Sequence, residues 1–355
     1  MGTLRLLENA PLVARNTFRV PACASLFAEA RDRAALDELF GYASLRSGPL
    51  LVLGEGSNLL FAGDPPGLVV SIALREIAIL ERGDDSALVR ADAGVNWNDL
   101  VHWTLGHGLE GLENLALIPG NVGAAPIQNI GAYGSEVGEF IEIVEAFDRD
   151  SGELRRLDRA ACAFGYRDSL FKREGERWIV TAVELRLPFR HELRLDYAGI
   201  REELAAMHVD SPRAAHVAEA VTRLRTRKLP NPALIGNAGS FFKNPQVSAD
   251  AAAALKAEHA ALPVFPGTDP SLRKLSAAWM IEACGWKGHR DIESGAGDAG
   301  VSAQHALVLV NHGHATGAQL LDLARRVAAS VHATFGVMLE PEPRIIGARF
   351  DGSPA

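Results

Sequence analysis

A chain of 355 residues is too long for one simple core, and its 48% apolar and 23% charged content is that of an ordinary globular protein, not a disordered or fibrous one. A formal net charge of −8 argues against general nucleic-acid affinity, so positive charge meant for an anionic ligand must be local. No stretch reaches the roughly eighteen apolar residues of a membrane span, and MGTLRLLENAPLVARN lacks the apolar core and small-residue cleavage site of an export signal. Cys23, Cys162 and Cys284 are too scattered for a disulfide framework or a zinc site and suit a reducing cytosol, so a cytoplasmic protein without membrane or metal partners is expected.

Residues 25–40 carry helical spacing, and the apolar runs 50–53 and 68–72 read as buried strands. A strand over 87–91 leads into a short helix over 97–105. From about residue 141 the pattern changes, with strands over 141–147, 153–157 and 178–187. Within the last, Val183, Leu185 and Leu187 alternate with Glu184 and Arg186, as in a half-solvated sheet. A helix over 212–227 is stopped by Pro230 and Pro232. Residues 250–271, rich in alanine and proline, read as a surface insertion, 274–284 as helix and 306–310 as strand. Leu320, Leu323, Val327, Val331 and Phe335 mark one face of a long helix, with Thr316 as its N-cap. These shifts predict one domain over 1–75, a second over 76–220 and a third over 221–335. The closing LEPEPRIIG holds a short strand that needs a partner, so 336–355 is expected to return to the first domain.

Residues 119–134, PGNVGAAPIQNIGAYG, hold four glycines and no charged side chain. So little bulk lets a backbone lie against a flat or phosphorylated ligand and offer it N–H groups. A second glycine-rich segment, GEGSNLLF over 54–61, follows the apolar run 50–53. It has the strand and first two glycines of a dinucleotide-binding turn but not the third, and by itself reads equally as a tight turn. An irregular crossing like 119–134 would hide many backbone polar groups, which is costly unless a ligand such as a diphosphate engages them. Two such loops suggest a large phosphate-bearing cofactor.

In GNAGSFFKNP over 236–245, Ser240 sits between a glycine and two phenylalanines. Its hydroxyl can donate or accept a proton in a partly dry cleft, or merely cap a turn, and no GxSxG elbow points to a nucleophile. Arg167, in FGYRDSLF, has aromatic and apolar flanks that suit a guanidinium gripping an anion, or one paired with Asp168. Glu342 lies between two prolines in LEPEPRIIG, where a rigid backbone aims a carboxylate for orienting or proton transfer, or simply exposes a turn acid. The basic run Arg223, Arg225, Arg227 and Lys228 ends a helix and reads as a solvated face offsetting the helix dipole, with Lys228 leading toward the Ser240 loop. His312 and His314 read as a loop after a strand.

Together these motifs resemble the UDP-N-acetylenolpyruvoylglucosamine reductase family. GEGSNLLF, IPGNVGAAPIQNIGAYG, YRDSLFK, KLPNP, GNAGSFFKNP, ALVLVN and LEPEPRIIG occur in family order, and the likeness runs from about residue 16 to 347. The intact GAYG and the LDYAGI around Tyr197 are similar to the longer of two subtypes. The resemblance implies a three-domain α+β fold: an FAD-binding module of the vanillyl-alcohol-oxidase (PCMH) type plus a C-terminal α/β substrate domain. It implies an NADPH-dependent flavoenzyme of cell-wall peptidoglycan synthesis that reduces UDP-N-acetylglucosamine enolpyruvate to UDP-N-acetylmuramate. FAD contacts would fall at Gly54, Gly56, Ser57 and Asn58, and at Pro119, Gly120, Gly123, Ala124, Gln128, Asn129, Gly131, Ala132, Tyr133 and Gly134. Ser240 would be the proton donor, with Arg167 and Glu342 beside it, and Tyr197, Lys228, Asn244 and His305 would contact the substrate. His305 stands where many members carry glutamine, with Gln304 one place earlier, and Pro343 where valine is common. A monomer is favoured.

Two other readings compete. An oxidase of the same flavin fold would reoxidise in air and usually tether its flavin to a histidine or cysteine, neither of which occurs in the two glycine loops. A flavin- or nucleotide-binding protein without catalysis would not need Arg167, Ser240 and Glu342 together.

Overall fold

A computed structural model describes residues 4–197, 199–291 and 297–351. Ala198, inside LDYAGI, and the last four residues of the 336–355 segment lie outside the described residues. The chain forms two compact units, each assembled from three stretches. Met1–Ala10, Ala24–Glu55 and Pro66–Thr226 make the first, and Pro11–Cys23, Gly56–Pro65 and Arg227–Ala355 the second.

The first unit holds two sheets. In one, Leu50–Val52 and Cys23–Ala30 flank Leu68–Ile72 in parallel, and Arg5–Pro11 adds an edge. Here the helical reading of 25–40 is corrected: 25–30 belongs to the strand Cys23–Ala30, and the helix is Arg33–Gly41, capped by the Asp32 carboxylate. Ala24, Phe27, Ala28 and Ala30 are all buried, so the strand lacks the in–out alternation that would have marked it, and its alanines mimic a helix.

The second sheet is antiparallel, in the order Glu153–Asp158, Ile141–Asp148, Trp178–Pro188, Ser86–Asp92 and Ile77–Arg82. Val183, Leu185 and Leu187 pack into a core with Trp97, Leu100, Val217 and Val221. Glu184 is not solvated as the alternation suggested, being 1% exposed. Arg156, on the strand beyond Ile141–Asp148, reaches both of its oxygens at 2.6 and 2.9 Å, and that bidentate pair offsets the cost of burial.

In the second unit the long helix is Gly317–Phe335, with a Thr316–Gln319 capping box and the predicted apolar face buried. The segment 250–271 is more than a surface insertion. It supplies most of the helix Ala249–Glu258, and the strand Val264–Pro266 pairs with Leu272–Leu275. Lys274 and Leu275 are therefore strand, and the helix Ala277–Ala283 starts only after the Ser276 cap. The strand expected at 306–310 is Leu309–Asn311, paired with Ala299–Val301. Arg344–Ile346 finds its partner in Leu59–Phe61, parallel and in register over three residues. No helix among the described residues is long and apolar enough to cross a membrane.

Candidate active site

The loop 119–134 is built in the first unit from backbone contacts. Val122 N–H donates to Val95 O at 2.8 Å and Gly123 N–H to Ala93 O at 3.0 Å, while Gly120 O accepts from Trp97 N–H at 2.9 Å. Gly123 is there because nothing larger fits: a Cβ would stand 2.6 Å from the Ala93 methyl. The Glu55 carboxylate also braces this loop, accepting Asn96 Nδ2 at 2.7 Å and Gly120 N–H at 3.1 Å. Asn129 is buried and uses its amide within the protein, accepting Gly138 N–H at 2.8 Å and donating to Glu136 and to Gly165 O at 2.8 and 3.1 Å.

Strain gathers in this loop and in the segments that border it. Leu117, Asn129, Tyr133 and Arg167 all have left-handed backbones, at φ of 58°, 46°, 49° and 54°. Side chains of this size adopt that region at a cost of about 1–3 kcal/mol each, and only where surrounding contacts hold them. The contacts are visible. Asn114, itself buried, donates to Tyr133 O at 2.9 Å and Arg194 O at 3.0 Å, and Arg194 donates to Gly134 O at 2.7 Å while pairing with Glu139. The Tyr133 and Tyr197 rings meet edge to face, centroids 5.1 Å apart.

Arg167 lies at the tip of a reversal closed by Gly165 and Asp168, and its Nη2 donates to Gly131 O at 2.6 Å. Asp168 forms an ion pair with Arg173, the partner that sequence reasoning had not offered it. A second guanidinium stands nearby. Arg225, on the helix Ala214–Lys228, donates to Leu117 O at 3.2 Å. Burial pushes its pKa below the usual arginine value, the Tyr133 hydroxyl opposes this, and the Arg167 cation adds to the lowering. Among the described residues no carboxylate pairs with it. The sequence reading had dissolved Arg225 into a solvated basic face. Its spacing was the missed signal, since it follows the buried Val217 and Val221 by eight and four residues and so shares their side of the helix.

The second unit holds Ser240, Glu342, Asn58, Lys228, Asn244 and His305. Residues 239–243 run as an extended segment between two others. Ser240 bridges Val308, with Phe241 N–H donating to Leu307 O at 2.7 Å. On the other side Phe242 bridges Pro341, and Glu342 N–H donates to Phe241 O at 2.8 Å. Phe241 and Phe242 are buried and anchor the segment, leaving Ser240 half-exposed. Ser240 and Glu342, distant in sequence, therefore sit on neighbouring backbones. Asn58 holds the Glu342 segment from below: its Nδ2 donates to Glu342 O at 3.4 Å, and its carbonyl accepts Arg344 N–H at 3.0 Å. Gly56 is required by contact and conformation, with φ of 64° and a Cβ that would come 2.3 Å from Arg15 O.

Asn244 Oδ1 accepts Ala277 N–H at 3.0 Å, which fixes the amide with its NH2 turned the other way. His305 Nδ1 accepts Leu307 N–H at 3.3 Å, so the neutral ring carries its proton on Nε2. Burial, then the Lys228 and Lys287 cations, hold the His305 pKa below its ordinary value, with Glu282 opposing. No three His, Cys, Asp or Glu side chains among the described residues are grouped to hold a metal.

A glycine-lined, uncharged loop on an α+β scaffold, in a chain whose second unit sets a serine beside a carboxylate-bearing segment, is the pattern of an FAD-dependent oxidoreductase. Residues 24–158 match an FAD binding domain, and residues 231–346 match the UDP-N-acetylenolpyruvoylglucosamine reductase C-terminal domain. The chain is 58% identical to the UDP-N-acetylenolpyruvoylglucosamine reductase of Xanthomonas euvesicatoria pv. vesicatoria (strain 85-10), over 98% of this chain and 97% of that one. To its counterpart in Xanthomonas campestris pv. campestris (strain 8004) it is 57% identical over the same shares. It resembles the crystal structure of UDP-N-acetylenolpyruvylglucosamine reductase from Thermus caldophilus, with a TM-score of 0.66 and 25% identity over 98% of this chain and 100% of that one. The chain belongs to the UDP-N-acetylenolpyruvoylglucosamine reductase family.

The first unit's residues fit the cofactor. A dinucleotide brings two phosphates and a polar ring, and the uncharged loop 119–134 and the largely buried guanidinium of Arg225, with no carboxylate partner among the described residues, suit such a group.

Proposed function

We propose that the chain catalyses NADPH-dependent reduction of UDP-N-acetylglucosamine enolpyruvate to UDP-N-acetylmuramate, as a cytoplasmic monomer in peptidoglycan precursor synthesis. Residues 1–75 with 336–355, and 76–220, are then the FAD-binding domains, and 221–335 the substrate-binding domain. The reading is supported most directly by the backbone frame that sets Ser240 beside Glu342, with Glu342 N–H on Phe241 O at 2.8 Å. A binding protein has no use for a hydroxyl and a carboxyl on adjoining rigid segments.

When bound and reduced by NADPH, FAD would supply hydride. The remaining chemistry belongs to side chains. Gly54, Gly56, Ser57, Asn58 and the loop from Pro119 through Gly134 hold the cofactor. Lys228, His305, Asn244 and Tyr197 hold the sugar nucleotide, with the Nε2–H of His305 as its donor. Arg167 binds the enolpyruvyl carboxylate and carries part of the negative charge that builds there, a stabilisation concentrated in the transition state. Glu342 accepts a hydrogen bond and orients the donor. The Ser240 hydroxyl protonates the carbon that bears the ether oxygen, which fixes the configuration of the lactyl centre. A neutral hydroxyl suffices because the carbon it meets is strongly basic.

Stopped-flow absorbance of the Ser240→Ala holoenzyme tests this. Reduction of the flavin by NADPH is expected to stay normal, while its reoxidation by the enolpyruvyl substrate falls by roughly 10²–10⁴-fold, the range of a positioned general acid. Normal reoxidation removes Ser240 from the mechanism. Rapid reoxidation of the native protein by air alone, without substrate, would instead mark an oxidase.

A further inference from the structure

Arg167 is held in place by more than its own side chain. Gly165 and Asp168 close the reversal beneath it, exchanging N–H···O bonds of 2.9 and 3.2 Å, and Arg167 at the tip has φ of 54°. The short helix that follows, Leu170–Arg173, is fixed by Ser169. That side chain is fully buried; its Oγ donates to Ile127 O at 2.6 Å and accepts Lys172 N–H at 3.3 Å. Lys172 thereby stands one turn back over the reversal, and its Nζ donates to Arg167 O at 2.6 Å. An ammonium on the carbonyl of a left-handed residue opposes the peptide rotation by which that residue would relax to negative φ. Such a rotation would turn the Cα–Cβ bond of Arg167 and carry its guanidinium off Gly131 O, where it now sits at 2.6 Å.

We propose that Lys172 is a positioning residue for Arg167, its ammonium locking the strained peptide that aims the Arg167 guanidinium along the 119–134 loop. The proposal rests on the reading of Arg167 as the group that holds the substrate carboxylate. It assigns Lys172 no contact with substrate or cofactor. The reversal itself does not depend on Lys172, because Ser169 anchors it to Ile127 and Asp168 pairs with Arg173.

The test compares holoenzymes carrying Lys172→Met, Lys172→Arg, Arg167→Lys and the Lys172→Met/Arg167→Lys combination, with each half-reaction followed separately. Lys172→Met keeps the stem and loses the donor. It is expected to slow flavin reoxidation by the enolpyruvyl substrate roughly ten- to hundredfold, the scale of one charged hydrogen bond, and to leave NADPH reduction within about twofold. Lys172→Arg should recover most of the loss. In the Arg167→Lys background, Lys172→Met should cost little more, as for residues acting through one another. Should the methionine variant fail to fold, Lys172→Gln, an uncharged donor, is expected to give an intermediate loss in the same half-reaction. Equal slowing of both half-reactions without rescue by arginine overturns the proposal, as does full additivity in the combination. An impaired Arg167→Lys beside an unimpaired Lys172→Met overturns the proposal alone. An unimpaired Arg167→Lys overturns the reading of Arg167, and the proposal with it.

Discussion

At position 305, imidazole brings a titration that an amide cannot. His305 is neutral at pH 7, because burial and the Lys228 and Lys287 cations lower its pKa against the smaller pull of Glu282. A diphosphate arriving beside it favours the imidazolium and raises that pKa. The complex then binds more protons than the free protein in the window between the two values. Affinity for the sugar nucleotide is therefore expected to strengthen as pH falls through the raised pKa of the complex, and to level off below the free protein's pKa. Calorimetric titration across that range checks it, and His305→Gln should flatten the slope. A native protein with pH-independent affinity would place the histidine away from the diphosphate.

At this same scale the sequence was informative where a motif isolates a residue, as GNAGSFF isolates Ser240 and LEPEPR isolates Glu342. It was uninformative where the residue type is common on surfaces. Arg225 hid within a run of four cations, although helical spacing set it beside Val221. Asn114 had no signal, and Lys172 only that of closing the YRDSLFK motif, since what matters in each is a bond to the strained backbone of another residue.

Among elements, the helix Gly317–Phe335 was fully legible, because its apolar face recurs every three or four residues and both ends carry capping chemistry. Thr316 Oγ1 accepts Gln319 N–H, and the Gln319 side chain accepts Thr316 N–H at 2.8 Å in return. Thr316→Ala should cost about 1 kcal/mol, read from the midpoint of urea unfolding, with an unchanged midpoint counting against the cap. The strand Cys23–Ala30 was illegible for the opposite reason. A strand covered on both faces leaves no period of two, and alanine favours helix wherever context does not intervene. The segment 250–271 failed similarly: Val264–Pro266 is strand only because Leu272–Leu275 pairs with it, and pairing is not a local property.

The whole molecule is interleaved. The chain passes between its two units after Ala10, Cys23, Glu55, Pro65 and Thr226, so neither is a continuous stretch of sequence. Within the second unit, Arg344–Ile346 pairs with Leu59–Phe61, Gly236 exchanges backbone bonds with Asn311, and Asn311 Nδ2 donates to Phe18 O at 2.9 Å. A fragment of residues 227–355 would lack both the 59–61 strand and the 11–23 segment. It is expected to give no cooperative thermal transition and to be cleaved rapidly by protease, whereas the full chain resists. A fragment that melts cooperatively would show these early segments to be dispensable. Periodicity could place a strand in LEPEPRIIG but not choose its partner, because that choice is made by residues far back along the chain.

Arg225 leaves one electrostatic debt in the protein stripped of flavin. A largely buried guanidinium, with another cation close by and no carboxylate partner among the described residues, is expected to recruit a small anion from the buffer. Apoprotein prepared in phosphate or sulfate should thus be a different starting material from apoprotein prepared in a bulky zwitterion: sturdier to heat, and slower to take its flavin back.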